Sequence, residues 1–148
     1  MTDDELRAFL DEQRIVSVAT LGPSGRPHLV PLWYVPEQNG DLIGWTYAKS
    51  QKARNLERDP RATLQIEDGV DYHELRGVML ECDVEIERAA ERVADYGRAL
   101  FRRYAAGGGD LPSEMNDMVE QQAPKRVGLR FRPTRTVSWD HAKLGGAY

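Results

Sequence analysis

The sequence predicts a mainly β fold of the α+β kind: an antiparallel barrel of six to seven strands with short flanking helices. Three observations point there. Runs rich in β-branched and aromatic residues are separated by turn signals, Gly22-Pro23-Ser24-Gly25 and Glu37-Gln38-Asn39-Gly40-Asp41. One long segment, Gly77 to Ile86, alternates strictly, with Val78, Leu80, Cys82, Val84 and Ile86 on one face. The strands are mostly joined as hairpins, which favours an antiparallel barrel over a parallel α/β sheet.

Taken in order, Thr2-Asp3-Asp4-Glu5 reads as a capping box, and Leu6, Phe9 and Leu10 fall on one helical face. A helix is expected from about Asp3 to Glu12. Ile15 to Thr20 is β-branched and reads as a strand. Pro27 to Val35 is the second strand and completes a hairpin. Pro31 cannot donate to a ladder, so it marks an edge, a bulge or a close approach. The Asn39-Gly40 turn leads into a third strand, Leu42 to Thr46, giving a three-stranded meander. Ser50 caps a helix running to about Arg58, and Asp59-Pro60 stops it. Arg61 to Glu67 is a strand, followed by the alternating run. Arg88 to about Ala105 is helical, with Val93, Tyr96, Leu100, Phe101 and Tyr104 on its apolar side, and Gly107-Gly108-Gly109 breaks it. Leu111 to Gln122 is a weaker helix. Two strands, Val127 to Phe131 and Thr134 to Trp139, close the chain around Pro133. No repeat or linker suggests a second domain, so residues 1–148 are expected to form one.

Length and composition fit this. A chain of 148 residues can bury a sizeable core without disulfides or metals. The net charge of −4 argues against sequence-independent nucleic-acid binding. No stretch approaches a membrane span, and the acidic start lacks the apolar run of a secretion signal. Cys82 is the single cysteine, which suits a reducing compartment. The expectation is a cytoplasmic protein with no membrane or nucleic-acid partner.

The chemistry concentrates between Lys49 and Arg61. Lys49, Lys52, Arg54, Arg58 and Arg61 stand there against Glu57 and Asp59. A helix start offers unpaired N–H groups and a positive dipole end. Ser50 and Lys52 at that start form a compact cradle for a phosphate. A basic run of this kind is also what an ordinary solvated face looks like, so spacing alone leaves both readings open.

Three segments resemble the pyridoxamine 5'-phosphate oxidase-like, or FMN-binding split-barrel, superfamily. Val18-Ala19-Thr20-Leu21-Gly22-Pro23-Ser24-Gly25-Arg26-Pro27-His28 is similar to its opening hairpin. Lys49-Ser50-Gln51-Lys52-Ala53-Arg54-Asn55-Leu56, followed by Asp59-Pro60-Arg61-Ala62, resembles its phosphate-binding helix and next strand. Val78 to Ile86 resembles its long barrel strand. The likeness runs from about Ile15 to Trp139. Lys52-Ala53-Arg54-Asn55-Leu56 looks most like the small reductases that use the deazaflavin coenzyme F-420. The composition of 16 Arg against 4 Lys is compatible with that group.

The resemblance implies a split barrel, a homodimer with cofactor at the subunit interface, and a small-molecule substrate. It implies F-420 as cofactor, with FMN as the alternative, and hydride transfer to an electron-poor acceptor. An FMN-dependent oxidoreductase and a non-enzymatic flavin or haem binder are the other readings. Lys52 carries over as the phosphate ligand and Ser50 as a second donor, with Lys49, Arg54 and Asn55 in support. Asn55 could instead anchor the helix to the sheet. Gln51 departs from the pattern, since FMN oxidases of the superfamily often carry Arg there, and this tips the balance towards the deazaflavin. His28, Val30, Pro31 and Trp33 on one side, and Thr46, Tyr47 and Ala48 on the other, are expected to face the ring. The resemblance requires no protein base, so no catalytic residue is assigned.

The remaining candidates are weaker. His28, His73 and His141 lack metal-ligand spacing, and no metal site is expected. Cys82 reads as core. Trp33, Trp45 and Trp139 are packing residues first. The segment from Ser138 to Tyr148 carries a possible site role for Lys143 or Tyr148. The helical insert Arg88 to Gln122 is expected to pack as core, to cover the pocket or to extend a dimer interface.

Overall fold

The computed structural model describes residues 1–145. Its first element, helix α1 (Asp3–Glu12), begins with the expected capping box, in which Thr2 accepts from the Glu5 backbone and Glu5 reaches back. Strands β1 (Val16–Leu21) and β2 (Pro27–Leu32) form the first hairpin, with Gly25 at φ 84° supplying the left-handed turn residue. A two-residue strand β3 (Val35–Pro36) pairs with β4 (Leu42–Tyr47). Helix α2 (Gln51–Arg58) leads into β5 (Arg61–Asp68) and β6 (Arg76–Glu87). Helices α3 (Ala90–Ala105) and α4 (Ser113–Gln122) precede the last strand, β7 (Arg126–Asp140).

The seven strands form one curled antiparallel half-barrel in the order β2-β1-β5-β6-β7-β4-β3. The fold class is therefore as the sequence predicted. Two strand assignments need correction. The expected strand from Pro27 to Val35 breaks at Trp33-Tyr34, and its two halves lie at opposite edges of the sheet. The cause is Tyr34, which is fully buried. Its hydroxyl donates to Leu10 O at 2.7 Å and Gln13 O at 3.1 Å, at the end of α1. Its backbone N–H is taken by the Tyr104 hydroxyl at 3.0 Å. The expected meander is accordingly absent: β4 pairs with β7 over six positions and with β3 over two.

The second correction concerns the C-terminus, where two expected strands are one strand of 15 residues. Glu81 faces Arg135 and Cys82 faces Pro133, so Thr134 is an extra residue in a bulge. The bulge is what lets a proline sit inside a paired strand. The Thr134 hydroxyl donates to Glu81 O at 3.1 Å. Pro31 lies on β2, an edge strand, as its missing N–H requires.

Two apolar clusters flank the sheet. Val16, Val18, Leu64, Val78, Leu80, Leu129 and Phe131 fill the inside of the curl, closed by Phe9 of α1 and by Ala53 and Leu56 of α2. On the outer side of β4 and β7, Trp45 packs with Val93, Ala94 and Leu100 of α3 and Val119 of α4. The insert's aromatic stripe therefore packs against this second cluster, through Tyr96, Phe101 and Tyr104. The apolar burial on both faces explains why β4 is buried from Leu42 to Thr46 with no alternation.

Candidate functional site

The start of α2 gathers three of the expected site residues. Ser50 is the N-cap, its hydroxyl accepting from Ala53 N at 3.2 Å. The Lys52 ammonium donates to Thr46 Oγ1 at 2.8 Å. The Thr46 hydroxyl in turn lies 3.4 Å from Ser50 Oγ. Thr46 is 4 % exposed and Lys52 is half-buried. Among the described residues no carboxylate pairs with Lys52. Burial, and then the positive charge of Arg126, push its ammonium below the ordinary lysine range.

Asn55 takes the anchoring role. It is fully buried, its amide donates to Thr20 Oγ1 at 3.0 Å, and its carbonyl oxygen accepts from Gln51 Nε2 at 2.7 Å. Gln51 is thus turned along the helix towards Asn55. Arg58 bonds Leu21 O and lies 3.4 Å from Asn55 Oδ1. Arg61 forms a two-pronged pair with Asp59, which removes it from the basic cluster, and Asp59 is held down to about 2 by that contact. Lys49 and Arg54 are exposed and pair with no carboxylate among the described residues.

His28, Val30, Pro31 and Trp33 lie apart from this group, whereas the Tyr47 carbonyl accepts from Ser50 N at 3.0 Å. His28 and Val30 sit on β2 opposite Thr20 and Val18, on the face that turns inward. His28 Nδ1 is buried with no hydrogen-bond partner among the described residues. Trp33 is 46 % exposed and stacks on Tyr104 at 4.4 Å with an 8° interplanar angle, so one ring face is already covered. Tyr47 is exposed, and the Ala48 N–H donates to Lys125 O, just before β7, at 2.9 Å. No hydrogen bond or ring contact joins His28, Val30, Pro31 or Trp33 to Lys52. Cys82 is buried, and burial pushes its thiol up to about 12, in keeping with a core role. His73 does come together with Asp71 and Glu74, all three exposed in a surface turn. Lys143 pairs with Glu5 at 2.6 Å, and Tyr148 lies outside the described residues.

One cation escaped the sequence reading. Arg126 opens β7 and pairs in register with Tyr47. Its guanidinium lies 4.0 Å from the Tyr47 ring centroid and 4.6 Å from that of Trp45. Only the β4–β7 register reveals this, since 78 residues separate Tyr47 from Arg126 counting only those between them. An open cleft of about 440 Å³ lies over β1, β5 and β6, between Leu21, Arg61, Glu81 and Thr134. Lys52, Ser50 and Thr46 do not line it.

A curled antiparallel half-barrel of seven strands with flanking helices defines a split barrel. The family described as pyridoxamine 5'-phosphate oxidase matches residues 2–140, and this chain belongs to that family. In structure it is similar to a conserved hypothetical protein from Mycobacterium tuberculosis, at 42% identity and TM-score 0.89, covering 100% of this chain and 90% of that one. It also resembles an F-420 reductase, at 22% identity and TM-score 0.67, over 88% of this chain and 94% of the other. The haem storage protein HutZ from Vibrio cholerae is similar at 18% identity and TM-score 0.70, over 91% and 92% of the two chains. The last two likenesses concern the fold. No curated protein matches the chain in sequence. Among the described residues no helix is long and apolar enough to cross a membrane.

Proposed function

We propose that this chain is an oxidoreductase that uses reduced coenzyme F-420 to deliver a hydride to an electron-poor small molecule. The observation that carries the reading is Lys52, a half-buried ammonium without a carboxylate, held by Thr46 beside the Ser50 cap. Such a charge is costly to keep unpaired, and a phosphate at the helix start would compensate it. Gln51 supports a site with a single helix-borne cation, because its amide is occupied by Asn55. His28 Nδ1 is a second buried group that lacks a partner and would meet the cofactor or substrate.

When bound, reduced F-420 supplies the hydride, and a conjugated double bond, quinone or tetrapyrrole accepts it. The chain's own residues bind and orient. Lys52, Ser50 and the first turn of α2 hold the phosphate, with Lys49 and Arg54 raising the local potential. Backbone and side chains of Val30 to Trp33 and of Thr46 to Ala48 bound the ring. The proton that accompanies the hydride comes from solvent or from a nearby Tyr or His.

The same reading makes the protein a homodimer with cofactor at the subunit interface. The outer face of the sheet supports this. Register places Pro31, Ser17, Gln65, Met79 and Val137 in one row across β2, β1, β5, β6 and β7. That row carries no charge. Leu29, in the next row, is 67 % exposed. The row of Leu29 also carries Thr63, Glu81 and Arg135, and an uncharged strip beside such a row suits a partner copy.

A binding titration against F-420, FMN and haem tests the reading, with turnover of reduced cofactor measured alongside candidate acceptors. Binding of F-420 with turnover is expected, weakened by Lys52→Ala by roughly 1.5–3 kcal/mol through loss of a charge-assisted bond. Binding of FMN instead would transfer the same site to the flavin. Tight binding without turnover would make the chain a binder, and binding of none of the three would sink the proposal.

A further inference from the structure

We infer that Trp45 and Arg126 form a second binding site, on the outer side of β4 and β7, for a carboxylate or phosphate group. The inference goes beyond the cofactor reading above and does not depend on it. Strand alternation sets Trp45, Tyr47 and Arg126 on the sheet face opposite to Thr46, the residue that receives the Lys52 ammonium.

Two N–H donors lack acceptors here. Trp45 Nε1 and Arg126 Nε are both buried, and neither has a hydrogen-bond partner among the described residues. Trp45 as a whole is only 8 % exposed. A buried donor without an acceptor costs free energy that an incoming acceptor recovers. The two donors are neighbours, because the Arg126 guanidinium lies 4.6 Å from the Trp45 ring centroid. Both side chains are also confined. A Cβ on Gly97 of α3 would stand 2.8 Å from Trp45 Cζ2 and 3.0 Å from Cε2, so the helix presses on the indole edge beside Nε1. The Tyr47 ring centroid lies 4.0 Å from the guanidinium and restrains it in turn.

A buried water would satisfy the N–H groups but not the charge. Arg126 ion-pairs with no carboxylate among the described residues, unlike Arg130 and Arg132 further along β7, which meet Glu37, Asp41 and Glu85. Glu87, which faces Gly128 from β6, is already engaged by the Ala89 N–H and by Arg92. Lys125 adjoins Arg126, and its carbonyl takes the Ala48 N–H, which brings Lys49 to the same corner. Neither lysine pairs with a carboxylate among the described residues. Unpaired cations gathered at one corner of a chain of net charge −4 favour an anion over a water. One carboxylate or phosphate offers an oxygen to each donor and a charge-assisted bond to the guanidinium. Tyr47 is 51 % exposed, so the site opens to solvent along that ring.

The Trp45 indole N–H reports directly on this site. Its NMR resonance is assigned in the full chain by its loss in Trp45→Phe, and formate and inorganic phosphate are then titrated separately at constant ionic strength. A saturable downfield movement of that resonance is expected, and the anion that binds more tightly names the group. Affinity should fall about tenfold in Arg126→Met and return in part in Arg126→Lys. It should be unchanged in Lys52→Ala, where the helix start has lost its cation; this comparison decides even if Arg126→Met does not fold. No saturable response in the wild type would overturn the inference and leave the two N–H groups to a buried water. An equal response in wild type and Arg126→Met would overturn it too, as would a response lost in Lys52→Ala. Loss of F-420 and FMN binding with an intact Trp45 response would strike the cofactor reading alone.

Discussion

The Asn55 amide donates to Thr20 Oγ1 at 3.0 Å, and this buried bond fastens α2 to β1. Both residues are buried, and Asn55 also accepts from Gln51. The height and tilt of the helix start, and hence of Lys52, depend on that attachment. Asn55→Ala leaves the Thr20 hydroxyl without its donor and opens a small void. The expected loss is about 2–3 kcal/mol in urea unfolding, with cofactor or phosphate affinity falling as well. A loss under about 0.5 kcal/mol would show that Leu56 and Ala53 hold the helix by packing alone.

The ammonium of Lys52 carries a pH dependence. Burial and Arg126 hold its folded value below the ordinary 10.5. In the ligand-free protein the unfolded chain therefore binds this proton more tightly. The stability contribution of Lys52 rises with pH between the depressed value and 10.5, and is at its worst below that window. Anion binding has the opposite sign, because it needs the charged form. Affinity for phosphate should fall as pH climbs through the depressed value, earlier than for an exposed lysine. Lys52→Arg should flatten that fall, since guanidinium stays charged. Calorimetric titrations from pH 7 to 10.5 check this, and parallel profiles for the two proteins would remove Lys52 from the site.

Gly97 has a steric reason to be glycine. A Cβ there would lie 2.8 Å from the Trp45 ring, which is itself clamped between α3 and β4. Gly97→Ala forces the helix or the indole to move, at roughly 1–3 kcal/mol. Thermal unfolding should show the loss. Trp45 fluorescence should shift with it. An unchanged emission spectrum would mean that the helix, and not the ring, gives way.

Local signals were legible where the physics is local. Thr2 and Glu5 announced α1, and Ser50 and Asp59-Pro60 bounded α2, as the structure confirms, while Pro31 left an edge, a bulge or a close approach open and the structure shows the edge. The break at Tyr34 was not legible, because its cause is a set of bonds to Leu10, Gln13 and Tyr104. Neither was the continuity of β7 through Pro133, which depends on a bulge against Glu81 and Cys82. Trp33 could be read as large and aromatic, but not as already stacked on Tyr104.

The helix start at Ser50 and Lys52 was thus fixed by the chain itself, since a cap, a cation and a stop lie within ten residues of one another. What surrounds it was decided in three dimensions. Asn55 on Thr20 and Arg126 over Tyr47 are contacts between segments far apart in the sequence. Strand register carries no local signature, because it is set by how two distant apolar faces align across the sheet. Periodicity therefore named the elements, and only the paired strands could say which charges meet.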